Sequence, residues 1–307
     1  MLFKLSLVLV LVILITSCGG TSRIKWSLSS RNLPEQYKLN HVPFYPQQKY
    51  QCGPAALSMA LAWAGVQVSP ENLVSEVFTP SRKGSLQSAI IASIRRHKRV
   101  AYPIASPGSL IDEIAAGHPV IVLQNLGLSW YPVWHYAVVI GFDLNKDNVI
   151  LHSGVVSQKH LNFKVFERTW ARSNFWGILV LPPTQLPADA IESKYISAVN
   201  GLERLGLWKA AAEGYKTALN HWPDSFLAHM GLGVCYYELG NLKSAESVIL
   251  DAIRKFPTEG AAFNNLAQVL MEQGRKCEAL AAALRAVELG GPLEEHFKST
   301  LEEIRNK

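Results

Sequence analysis

Pro46-Gln47-Gln48-Lys49-Tyr50-Gln51-Cys52-Gly53-Pro54-Ala55-Ala56-Leu57 places a cysteine at the polar mouth of an apolar helix. Leu57, Ala60, Leu61 and Ala64 continue at i, i+3, i+4 and i+7 spacing, so the segment reads as a helix with Pro54 in its first turn and Gly65 at its stop. The open N–H groups of a helix start, together with the helix dipole, favour a thiolate, and the thiolate is the attacking form of cysteine. A thiol that served only packing would sit inside the helix. Cys52 is therefore the candidate nucleophile.

Outward from this helix the pattern mixes helices and strands as far as Pro183. Helices are expected at about 70–78, 85–97 and 109–116, the last ending at Gly117. Strands follow at 120–126, 135–142, 149–151, 163–165 and 176–181, with the polar run 143–148 as a hairpin loop. Helices first and strands second predict an α+β domain with an antiparallel sheet over 41–183. Pro182-Pro183 and Pro187 punctuate its end and predict a short, stiff linker over 184–191.

A cysteine nucleophile needs a base, and His135 is the best placed of nine histidines. It opens an apolar strand directly after the aromatic loop Trp130-Tyr131-Pro132-Val133-Trp134, a sequence suited to the wall of a groove. A histidine distant in sequence that meets the cysteine across a cleft is the geometry of a thiol–imidazole pair. His118, His160, His221 and His296 read as structural or surface residues.

CGPAAL on a helix, HYAVVIGFD on a later strand, a hairpin, and Phe166-Glu167-Arg168-Thr169-Trp170 before a last strand resemble the bacteriocin-processing, double-glycine class of papain-like cysteine peptidases. The resemblance spans roughly residues 41–182. It implies Cys52 as nucleophile, His135 as general base, and Gln47, five residues before the cysteine, as an oxyanion donor beside the Cys52 backbone N–H. One position departs from that pattern. The family carries an Asp after the hairpin to orient the histidine, and here Ser153 stands at the equivalent place with His152 beside it. A hydroxyl or a second imidazole can hold a neutral ring but stabilises an imidazolium less than a carboxylate does.

Beyond residue 191 the sequence repeats. Gly206, Gly240 and Gly274 recur at a step of 34 residues, as do Ala211, Ala245 and Ala279, and Ala218, Ala252 and Ala286. Pro223 and Pro257 keep the same step. A Gly between two helical patterns, two Ala at fixed offsets and a terminal Pro form the tetratricopeptide signature, which predicts three repeats (about 192–225, 226–259 and 260–293) and a capping helix within 192–307. The small Ala side chains let paired helices approach closely. A protein partner docked on the repeats is expected.

At the amino terminus, Lys4 precedes an apolar stretch, Leu5 to Ile15, too short to cross a bilayer comfortably and suited to a signal-peptide core. Its end, Leu14-Ile15-Thr16-Ser17-Cys18-Gly19, resembles the lipobox of bacterial lipoproteins. That resemblance implies cleavage after residue 17, lipidation of Cys18, a tether over 18–40, and an envelope location on the outer membrane facing the periplasm. No GxxxxGK[ST] motif and no further long apolar span follows, so the substrate is expected to be an envelope polypeptide and not a cytosolic leader. The net charge of +6 is spread thinly, and Arg95-Arg96-His97-Lys98-Arg99 reads as the solvated end of a helix, so nucleic acid is not an expected partner. No His/Cys spacing fits a metal and no glycine-rich loop fits a phosphate, so no cofactor is implied. Cys235 and Cys277 fall in repeat helices and read as buried small apolar residues. Two functions follow. One is an envelope-anchored cysteine peptidase with a docking array. The other is a catalytically weak or inactive peptidase-fold binding protein acting as an assembly scaffold.

Overall fold

The computed structural model describes residues 33–306; the signal segment and Cys18 lie outside them. The first half is an antiparallel sheet with helices on it. Its strands are β1 (Gln36–Lys38), the short β2 (Phe78–Thr79) and β3 (Gly84–Ser85), β4 (Val100–Ile104), β5 (Val120–Asn125), β6 (Trp134–Asp143), β7 (Asn148–Ser153), β8 (Val156–Asn162) and β9 (Gly177–Leu181). The main sheet runs β4-β9-β5-β6-β7-β8, with β1 added on β6, while β2 and β3 form a separate hairpin. β6 is long enough to carry β5 along Trp134–Val139 and β1 along Gly141–Asp143. A Cβ at Gly141 would stand 2.7 Å from the Tyr37 carbonyl, so the approach of β1 requires glycine there.

Helix α1 (Cys52–Trp63) is the centre of the core, buried from Gly53 through Ala62. Its Leu57, Met59 and Leu61 meet Ile121, Val138, Ile140 and Ile178 of the sheet in one apolar cluster. Each such side chain taken from water contributes about 1.5–3 kcal/mol. The remaining helices of this half are α2 (Pro70–Val77), α3 (Gln87–Arg96), α4 (Pro107–Ala115) and α5 (Phe163–Ala171).

Three local differences from the sequence expectation have physical causes. Residues 163–165 are not a strand but the first turn of α5, where Asn162 accepts from the Lys164 amide and Phe163, Phe166 and Trp170 fall on one buried helical face. Three residues are too few to tell period 2 from period 3.6. The strands β1 and β8 escape the apolar pattern because both are edge strands with exposed side chains; β1 lies inside the expected tether, 18–40. Between α2 and α3 stands the β2–β3 hairpin with a single 3₁₀ turn, Pro80–Arg82, and Lys83 in the left-handed region.

The second half is an all-helical array: α6 (Glu192–Glu203) with α7 (Trp208–His221), α8 (Phe226–Glu238) with α9 (Leu242–Lys255), α10 (Gly260–Glu272) with α11 (Lys276–Leu289), and α12 (Glu294–Asn306) as the cap. Gly206, Gly240 and Gly274 take φ of +68, +72 and +76°, the left-handed conformation that lets a helix stop and turn. All six repeated alanines are fully buried. Between repeats the spacing is tighter still: a Cβ on Gly231 would lie 2.3 Å from the Tyr215 ring. Cys235 is buried and Cys277 is exposed near the start of α11, so the expectation that both pack inside holds for one alone; both thiols are free.

The segment expected as a stiff spacer is docked. The Glu113 carboxylate accepts from the Ala188 amide at 3.0 Å, and the Tyr102 hydroxyl donates to the Asp189 carbonyl and accepts from the Ile191 amide. Tyr195 donates from the repeat side to the Pro183 carbonyl at 3.0 Å. Arg95 lies against Gly201, where a Cβ would stand 2.4 Å from its Nε. Part of the basic run 95–99 thus faces the repeats, and Arg96 pairs with Glu76 at 3.0 Å. From Leu33 onward the chain is one compact unit.

Candidate active site

Cys52 is the first residue of α1, and its N-cap Gln51 supplies no side-chain cap. The first amide bonded back into the helix belongs to Ala55, so those of Cys52 and Gly53 stay open, and Pro54 has none to compete. Gly53 cannot be larger: a Cβ there would stand 2.2 Å from the Ser85 hydroxyl on the β2–β3 hairpin. The helix start is thus pressed against that hairpin with its thiol at the edge.

A cleft of about 900 Å³ opens above the thiol. One wall comes from residues 47–50 and the hairpin, the other from the β5–β6 loop and residues 172–174. Cys52, His135 and Gln47 all line it. Sequence distance is bridged because β6 passes beside the start of α1, closely enough for the Tyr136 backbone amide to draw the Cys52 thiol pKa down.

His135 Nε2 lies 2.9 Å from the Ser153 hydroxyl at the end of β7. A ring that takes a proton from a thiol must do so at its other nitrogen. Nε2–H then donates to Ser153 and Nδ1 is left for the cysteine. His152 is not brought to this site. Adjacent strand residues face opposite ways, and its ring is turned into the fold, where Nε2 donates to the Val42 carbonyl at 3.3 Å and Nδ1 accepts from the Gln158 amide at 3.2 Å. Phe44 packs on it at 5.2 Å. Of the two residues left open by the sequence, Ser153 is the one in contact with His135, and His152 as a member of the site is corrected.

Gln47 is fixed at both ends of its amide. Oε1 accepts from the Gly154 amide at 3.0 Å and Nε2 donates to the Tyr136 carbonyl at 3.2 Å, while its own backbone N–H donates to the Gly154 carbonyl. One Nε2 hydrogen remains for a group in the cleft. The side chain thereby ties the approach to α1 onto the two strands that hold His135 and Ser153.

The electrostatics differ from the helix-start expectation. Burial pushes the Cys52 thiol above its ordinary value, against the amides of Tyr136, Gly53 and Cys52 itself, which pull it back. Burial, with the Lys159 charge, holds His135 down to about 4. Both shifts favour the uncharged forms, so at neutral pH the resting pair is a thiol and a neutral imidazole. The helix dipole is outweighed because burial desolvates most of the thiol. A carboxylate at position 153 would offset the cost of burying a charged ring, and a hydroxyl does not.

Sequence reasoning passed over two contributions to the cleft. The hairpin supplies Arg82, Lys83 and Ser85, and residues 172–174 support the opposite wall. Pro80 and Gly84, both helix breakers, are the signal that marks the hairpin. Asp143 and Asp147 stand at the β6–β7 turn, where Asp143 pairs with Lys146.

The role of Ser153 has a direct test. Ser153→Asp should raise the His135 pKa from about 4 by about 1–3 units, measured by NMR titration of the ring protons; an unchanged titration would contradict the contact between the two side chains.

Two protein families match parts of the chain. The Peptidase C39 like family matches residues 39–177, and the tetratricopeptide repeat family matches residues 197–259 and 244–293. Among solved structures, a Bacillus anthracis protein described as a C39-like peptidase is similar at 18% identity and a TM-score of 0.41, covering 48% of this chain and 98% of its own. The Yersinia enterocolitica type III secretion chaperone SycD, solved with a peptide of the translocator YopD, is similar at 19% identity and a TM-score of 0.35, covering 37% of this chain and 92% of its own. The TPR2B domain of yeast Sti1, solved as an Hsp70 complex, is similar at 13% identity and a TM-score of 0.36, covering 38% of this chain and 96% of its own. No curated protein matches the chain. The chain joins a Peptidase C39-like domain to tetratricopeptide repeats.

Proposed function

We propose that this protein is a cysteine peptidase acting on a polypeptide, with its repeats as a docking array for a protein partner. The observation that carries the reading is the convergence of Cys52, His135 and Gln47 on one cleft, with Ser153 behind the histidine. In the proposed reaction a substrate carbonyl enters above the helix start. The Cys52 sulfur attacks it as its proton passes to His135 Nδ1, so the charged pair forms only with the new bond. The oxyanion takes the Cys52 backbone N–H and the remaining Gln47 hydrogen. Collapse expels the amine, which leaves with the proton from His135, and water activated by the same ring hydrolyses the thioester.

The neutral resting pair favours a second reading, a binding protein of low turnover that holds a peptide in the cleft while the repeats assemble partners. The two readings separate on turnover. In cells, Cys52→Ala should capture polypeptides that crosslink to the cleft, and the wild-type protein should cleave those same polypeptides in vitro. Capture with no cleavage by the wild type would sink the peptidase reading and leave the binding one.

We propose further that Cys18 carries a lipid and holds the protein at the envelope, on the support of the Leu14–Gly19 sequence. Cys18→Ser should move the protein from the membrane fraction to the soluble one. Persistence in the membrane would defeat the anchor.

A further inference from the structure

The cleft carries an imbalance of charge that the proposed chemistry does not use. Lys49, Arg82, Lys83 and Arg172 line it, and no Asp or Glu does. Several cations elsewhere pair with carboxylates, among them Arg96 with Glu76, Arg275 with Glu246 and Lys298 with Glu294. Among the described residues, none of the four cleft cations has such an ion pair. Lys49, Arg82 and Lys83 are exposed on the wall beside Cys52, with the Lys49 ammonium 5.2 Å from the centre of the Tyr50 ring. Arg172, across the cleft, donates to the Asn125 and Gly127 carbonyls at 3.1 and 2.6 Å, which fixes its place without cancelling its charge.

The wall beside His135 is apolar and rigid. Tyr131, Val133 and Trp134 stand exposed on it at 69, 49 and 50%. Asn125 holds their loop by accepting from the Gly127 and Val133 amides and donating to the Leu128 carbonyl. A concave site with cations of one sign and low-dielectric walls concentrates anions. An extended peptide presents alternate side chains to opposite walls.

We propose that the cleft selects acidic polypeptide segments, with Asp or Glu side chains against Lys49, Arg82 and Lys83 and the intervening apolar side chains against the aromatic wall. This rests on the reading of the cleft as a polypeptide site, and its test is kept separate from turnover. The full chain bearing Cys52→Ala is titrated into a short fluorescein-labelled peptide of alternating Glu and Leu, and into the same peptide with Gln for every Glu. At low salt the Glu peptide should bind about tenfold more tightly, and the preference should fade as salt rises. Arg82→Gln with Lys83→Asn removes two charges at exposed positions, and Asn tolerates the left-handed backbone of residue 83. That variant should bring the two affinities within about twofold. Equal affinities for the two peptides, or a Glu preference that survives the double variant, overturn the proposal. Cleavage of the Glu peptide by the wild-type chain reports the peptidase reading alone: a charge-dependent preference without cleavage supports a cationic cleft selective for acidic segments and counts against proteolysis.

Discussion

The first turn of the helix at Cys52 is the constraint on which the rest of the N-terminal half depends. That helix is buried from Gly53 to Ala62, and its polar opening faces the cleft. Glycine at 53 lets the hairpin close on it, and proline at 54 removes an amide without loss, because the first turn has no acceptor for it. The strand that seals the helix against the sheet also carries His135, so packing of the core and alignment of the thiol with the imidazole are one event. Gln47 adds a cross-tie from the chain before the helix to the same strands.

Burial that aligns these groups also sets their charge. The same apolar surroundings raise the thiol and lower the imidazole, and Ser153 offers the histidine a hydrogen bond but no counter-charge. At rest the two groups are therefore an uncharged pair and not a standing ion pair; in the proposed reaction the proton moves only as the sulfur attacks.

Much of the architecture was legible in the sequence because it is periodic. The 34-residue step of Gly and Ala fixes where helices stop and where they touch, and the structure shows those residues at positive φ or fully buried. Cys52, His135 and Gln47 were legible by position, since a helix mouth, a strand mouth and the loop before the helix are places a short motif can mark. Ser153 against His152 was not, because the choice turns on which face of β7 a side chain takes. The charge state was hidden as well: a helix start predicts a thiolate, and only the packed surroundings show that desolvation outweighs it. The strands β1 and β8 and the hairpin carry no apolar stripe, and edge elements of this kind leave little trace in hydropathy.

The docked segment between the halves gives the architecture a further consequence. Tyr102 and Glu113 hold the segment before the repeats, and Arg95 packs on their first helix, so a partner docked on the repeats would be held in a fixed relation to the cleft. The central claim is that Cys52 loses its proton to His135 in the act of attack. The rate of Cys52 alkylation by iodoacetamide, followed against pH by mass spectrometry of the peptide that contains it, tests this most directly. The account predicts a rate that stays low through neutrality and climbs only into the alkaline range, as the raised thiol ionises. A rate already at a plateau below neutral pH, the mark of a standing thiolate, would contradict it.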